Sequence, residues 1–148
     1  MKHVQIGNTT VGNDLPLTVI AGPCQMETLD HALMIAQTVA DACESAGAGY
    51  VFKASYDKAN RTSLGGRRGI GIEEGLRMLE EVRNRIGCPV LTDVHDIDQA
   101  RMAGAVVDVL QIPAFLSRQL DLLLAAGETG AAVTSKKGQF LAPWDMPN

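Results

Sequence analysis

The stretch FKASYDKANRTS, Phe52 to Ser63, places two lysines, an arginine, an aspartate, an asparagine and several hydroxyl side chains directly after an apolar run. The arrangement recurs along the chain. Cys24 follows the first apolar run, Lys53, Ser55 and Lys58 the second, and Asp93 and His95 the third, while Gln111 closes the fourth and Lys136 and Lys137 the fifth. Seven of the 13 Lys and Arg residues (Lys53, Lys58, Arg61, Arg67, Arg68, Lys136, Lys137) fall in these segments, although the net charge is -4. Cations concentrated locally in an acidic chain suit a polyanion whose phosphate or carboxylate groups take charge-assisted hydrogen bonds.

Such side chains need elements that bring them to one place. Short apolar runs alternate with helical patterns: strands over 17–21, 50–55, 89–95, 106–113 and 131–137, and helices over 29–46, 73–86, 98–102 and 116–130. Thr28 is positioned to cap the first helix. A hairpin occupies residues 1–16, turned by GNTT and GND. Strands that are almost continuously apolar, each followed by a helix, predict a parallel sheet covered by helices. A dinucleotide-binding sheet would want GxGxxG after the first strand, where the chain reads AGPCQME. A (β/α)8 barrel is favoured, because its active sites lie at the carboxyl ends of the strands, where the polar residues cluster. Five β/α units are countable, so residues 1–148 are expected to form a single barrel domain that is incomplete at its C-terminal end.

Composition narrows the function. The acidic balance argues against nucleic acid or a membrane surface as partner. No apolar run is long enough to span a bilayer, and MKHVQIGNTT lacks the apolar core of a signal peptide, so the expected location is the cytoplasm. Three cysteines without a CxxC pair fit reduced thiols.

At IAGPC, FKASYDKANRTS, RGIGIEEGL, PVLTDVHD, VVDVLQIPAFLSRQLDLL and KKGQFLAPWDM the chain resembles the 3-deoxy-D-manno-octulosonate-8-phosphate synthases, from about Leu17 onward. The resemblance implies a TIM barrel that condenses phosphoenolpyruvate with arabinose 5-phosphate and water, a step toward lipopolysaccharide. It assigns Lys53, Lys58 and Lys136 to phosphoenolpyruvate, and Asp93 to the sugar hydroxyls. Asn60 would meet the sugar, and Arg61 and Ser63 its phosphate. Ser55 and Gln111 would line the cavity, with Ala114 and Phe115 as its wall. It also implies a homo-oligomer, a tetramer, because the KANRTS loop of this family reaches a neighbouring subunit. Cys24 matches members that hold a divalent metal (Zn, Fe or Mn) through cysteine, and no organic cofactor is implied. The other ligands of that metal would lie beyond Asn148, so a 148-residue chain alone is expected to be inactive. Departures are Tyr56 where phenylalanine is usual, Ser117 before Arg118, and AAVTSKKG. The KANRTS string separates the chain from heptulosonate-phosphate synthases, which take erythrose 4-phosphate. That activity and a non-catalytic phosphate-binding fragment are the two alternatives.

Plainer roles go to other residues. Lys137 and Arg67 read as solvated charges, His95 as either a site residue or a strand-end histidine, and Cys43 and Cys88 as small hydrophobes. Met26, Met34, Met78, Met102 and Trp144 read as packing.

Overall fold

The computed structural model describes residues 2–147. Strands β1 (Val4–Ile6) and β2 (Thr9–Val11) pair antiparallel as the expected N-terminal hairpin, turned at Gly7 and Asn8. There follow β3 (Thr18–Ala21), α1 (Leu29–Ser45), β4 (Gly49–Lys53), α2 (Ile72–Ile86), β5 (Val90–Asp93), α3 (Ile97–Gly104), β6 (Val109–Ile112), α4 (Leu120–Glu128) and β7 (Ala132–Ser135). The strands from β3 to β7 are parallel and lie side by side in chain order. This is the sheet of a half barrel, with four helices, each following a strand.

Strand alternation divides the apolar residues between two faces. Phe52, Val90, Leu110 and Ile112 pack with Ala36, Leu79, Val82, Ala103 and Ala126 in the layer between sheet and helices. Val51, Leu91 and Val109 point to the opposite face, where Ile6 from the hairpin joins them with Val11 and Ala132 partly buried alongside. The hairpin thus plugs the inner face at the level where the strands begin. Farther along the same face the register aligns Lys53 with Leu91, and Asp93 with Gln111 and Thr134. Apolar residues therefore fill the amino end of the inner face, and polar ones occupy its carboxyl end.

Helix ends follow local chemistry. Thr28 caps α1 through the N–H of His31, and Asp96 caps α3 through the N–H of Gln99. In α2 the acidic Glu73 and Glu74 stand in the first turn and Arg83 and Arg85 in the last, each favoured by the helix dipole.

Several expected boundaries move. The helix foreseen over 98–102 runs from Ile97 to Gly104, starting one residue earlier after the Asp96 cap and ending two residues later. The one foreseen over 116–130 divides into a 3-10 turn, Ala114–Leu116, and α4. Ser117 Oγ donates to the Ala114 carbonyl and closes that turn, and Gln119 is extended at φ -83 and ψ 93, so the helix restarts at Leu120. Each strand also pairs over a shorter span than its apolar run, β3 and β6 starting later than expected and β4, β5 and β7 ending before the polar residues that follow them. Met26 and Met78 are core residues, but Met34 and Met102 are exposed on the outer faces of α1 and α3. Trp144 is 77% exposed, in the 3-10 turn Pro143–Asp145 that follows the last strand.

Candidate functional site

At the carboxyl end of the sheet the inner face opens into a cleft of about 620 Å³. Lys53, Ser55 and Lys58 line it from β4 and the loop after it, Asp93 from β5 and His95 from just beyond it, Gln111 from β6 and Lys136 from beyond β7. Asn60 and Arg61 enter from the loop before α2, and Ala114 and Phe115 from the 3-10 turn after β6. Ten of the residues expected to serve the site therefore meet in one cavity, together with Ala59, His95, Pro113, Leu116 and Gln139.

Two of the predicted residues stand apart. Ser63 is exposed and does not line this cleft. Cys24 is also exposed and outside the lining, although it lies near enough to Lys53 for a thiolate there to favour the ammonium. Gly22 shapes this approach, because a Cβ there would fall 2.1 Å from the Lys53 carbonyl oxygen. Among the described residues no three His, Cys, Asp or Glu side chains gather as metal ligands. A single exposed thiol does not make a metal centre.

The centre of the cleft is an ordered polar network. Lys58 Nζ donates to Ser55 Oγ at 2.8 Å, and Ser55 Oγ donates in turn to Asp93 Oδ1. The other carboxylate oxygen, Oδ2, lies 3.3 Å from His95 Nε2. Burial opposes the charge on Asp93, but the bonds from His95 and Ser55 and the ammonium groups of Lys58 and Lys53 outweigh it and hold the carboxyl down at about 2. Burial works the other way on Lys53, lowering its proton affinity; Asp93 counters this, while Lys58 and Lys136 reinforce it. Arg61 is braced by bonds to the Arg67 carbonyl at 2.9 Å and to Gln25 Oε1 at 2.5 Å. The cleft thus sets several cations around one fixed carboxylate, an arrangement whose chemistry suits anionic groups.

Lys137 keeps the plain role expected of it, donating to the carbonyls of Gly138 and Leu141. Arg68 pairs with Asp57 outside the cleft. Sequence reasoning missed Gln99, whose amide receives hydrogen bonds from both Tyr56 and His95. Its spacing of four residues from His95 at the start of a helix was the available signal.

A sequence model described as the DAHP synthetase I family matches residues 2–148. The chain is 59% identical over 147 residues to a 2-dehydro-3-deoxyphosphooctonate aldolase of Granulibacter bethesdensis, covering 99% of this chain and 52% of that protein. Proteins of the same name from Nitrobacter winogradskyi and Bartonella quintana are 57% and 54% identical, each over 98% of this chain and 50% and 52% of their own lengths. The chain thus spans about half the length of the curated relatives it matches.

Proposed function

The chain belongs to the DAHP synthetase I family, and from that premise we propose that it supplies the phosphoenolpyruvate-binding half of a synthase that makes 3-deoxy-D-manno-octulosonate 8-phosphate. Phosphoenolpyruvate, arabinose 5-phosphate and water would give that sugar acid and inorganic phosphate, for lipopolysaccharide precursors. The observation that carries the reading is the cleft itself: Lys53, Lys58, Arg61 and Lys136 surround one ionised carboxylate, Asp93, at the carboxyl ends of parallel strands. Its weight comes from similarity, over nearly all of this chain and about half of theirs, to proteins named 2-dehydro-3-deoxyphosphooctonate aldolase.

The substrates' chemistry fits these groups. Phosphoenolpyruvate brings a carboxylate and a phosphate, which Lys53, Lys58 and Lys136 would neutralise. Ammonium groups fixed on strand ends stabilise the negative charge that grows on phosphate as its C–O bond breaks. Ala114 and Phe115 would form the wall beside the enol, with Ser55 and Gln111 lining the cavity. Asp93, kept ionised and oriented by Ser55 and His95, is suited to accept from sugar hydroxyls. Asn60 and Arg61 would meet the sugar and its phosphate. Ser63, which does not line the cleft of its own subunit, would serve a neighbour's site, as expected of a homo-tetramer. A divalent metal held in part by Cys24 belongs to the same proposal, but its remaining ligands are not among the described residues and no step here depends on it. The complete eight-stranded barrel is likewise proposed.

One observation favours a second reading, since the matching family model is named for the heptulosonate-phosphate synthases. The acceptor decides. Purified full-length protein carrying this chain should release phosphate from phosphoenolpyruvate with arabinose 5-phosphate and not with erythrose 4-phosphate. Lys136→Ala should weaken phosphoenolpyruvate binding and lower turnover by about 10² or more. Preference for the four-carbon sugar would establish the second reading. No phosphate release with either acceptor would leave only an anion-binding protein, and unaltered kinetics in Lys136→Ala would remove that lysine from the site.

A further inference from the structure

His95 lies between two acceptors. Its backbone N–H donates to Gln99 Oε1 at 3.0 Å, and Tyr56 Oη donates to the same oxygen at 2.8 Å. A backbone N–H can only donate, so the amide must present its oxygen here and not its nitrogen. His95 Nδ1 is 3.2 Å from that oxygen and must therefore carry a proton. Across the ring, Nε2 faces Asp93 Oδ2 at 3.3 Å. A neutral imidazole has one N–H and one lone pair, and in this setting the lone pair would point at an oxygen whichever nitrogen held the proton. Only the imidazolium satisfies both contacts.

We propose that Gln99 is a positioning residue that holds His95 doubly protonated and turned toward Asp93, which makes this histidine one of the cations of the cleft. The hydroxyl of Tyr56 and the backbone N–H of His95 fix the amide's orientation, while Asp96 at the N-cap and the helical turn of α3 fix its place. The charged and titratable surroundings agree. Asp93 faces the ring from β5, Asp57 acts on it from the loop after β4, and the Tyr56 ring meets it edge-on at 6.4 Å. Lys58 touches Asp93 only through Ser55, and Lys136 lines the same cleft from beyond β7. The bond to Asp93 raises the proton affinity of His95 most, burial opposes it, and Asp57 and Gln99 add to the rise. The inference rests on the proposed function only in taking the ligand of the cleft to be an anion.

The test is an NMR titration of full-length protein with 15N-labelled histidine, the His95 ring being assigned by its loss in His95→Gln. In the parent both ring nitrogens should be protonated near neutrality, with a midpoint raised above that of an ordinary imidazole. Gln99→Met removes the acceptor and should weaken proton binding about tenfold, whereas Gln99→Glu should strengthen it by a similar factor. The KM for phosphoenolpyruvate should rise as pH passes the parent's midpoint, and that rise should move upward in Gln99→Glu. A neutral His95 ring in the parent near neutrality, or a midpoint unmoved by Gln99→Glu, overturns the proposal. Gln99→Glu decides even if Gln99→Met does not fold. Midpoints that move as expected in a protein that turns over neither sugar would instead overturn the proposed function.

Discussion

Lys53, Lys58 and Asp93 were visible in the sequence because each is a charged residue at the end of an apolar run, a place where a solvated loop gives no reason to repeat the pattern strand after strand. The fold then sets their protonation. Burial draws Lys53 toward neutrality while the bonds of His95 and Ser55 keep Asp93 ionised, so neighbouring groups are pushed in opposite senses by one environment. Gln99 was not visible, because an amide on the first turn of a polar helix reads as surface until the fold brings Tyr56 and His95 to it. Cys24 lies between these cases: the turn that carries it was legible, but among the described residues no set of partner ligands gathers about it. If it holds a divalent metal in the full-length protein, a chelator should abolish activity and Zn²⁺, Mn²⁺ or Fe²⁺ should restore it, while Cys24→Asn should resist the chelator. Parent activity that survives verified metal removal would return Cys24 to a structural thiol.

At the scale of elements, the sequence pattern located all five parallel strands and three of the four helices to within a few residues, because short continuous apolar runs, helical periodicity and helix caps are local signals. The break before α4 was hidden, since Leu116 and Leu120 share a helical spacing and only the Ser117 hydroxyl bond to Ala114 ends the first turn. The joint between α2 and the β4 loop depends on a contact no local pattern reveals. A Cβ on Gly75 would lie 2.3 Å from the Cβ of Tyr56, a side chain that is itself fully buried. Neither atom is the flexible end of a side chain. Gly75→Ala should gain about 1 kcal/mol of helix propensity but lose more to overpacking, which costs about 1–3 kcal/mol and displaces Tyr56. Thermal unfolding should show a lower Tm than the parent, and a Tm equal to or above it would mean that α2 moves aside without cost.

For the whole molecule the decisive feature is that β3 and β7 are the two edges of the five-stranded sheet. Ile20 on β3 is 45% exposed and Val133 on β7 is 40% exposed, so each edge carries unpaired backbone groups together with uncovered apolar surface. Such edges pair readily with other chains. A barrel of this architecture takes about 250 residues and has no edges, because its last strand closes on its first. Within residues 1–148 the cleft can gather anions, but one side of it faces open solvent, and two substrates held on only part of a wall lose most of the advantage of fixed orientation. A polypeptide of residues 1–148 expressed alone should therefore self-associate, and should fail to release phosphate from phosphoenolpyruvate plus arabinose 5-phosphate even with divalent metal added. Size-exclusion chromatography and a phosphate assay, on protein whose length is verified by intact mass, test both halves. Robust turnover by a monodisperse protein of that length would mean that five strands suffice to align the substrates, and would take the argument from open edges with it.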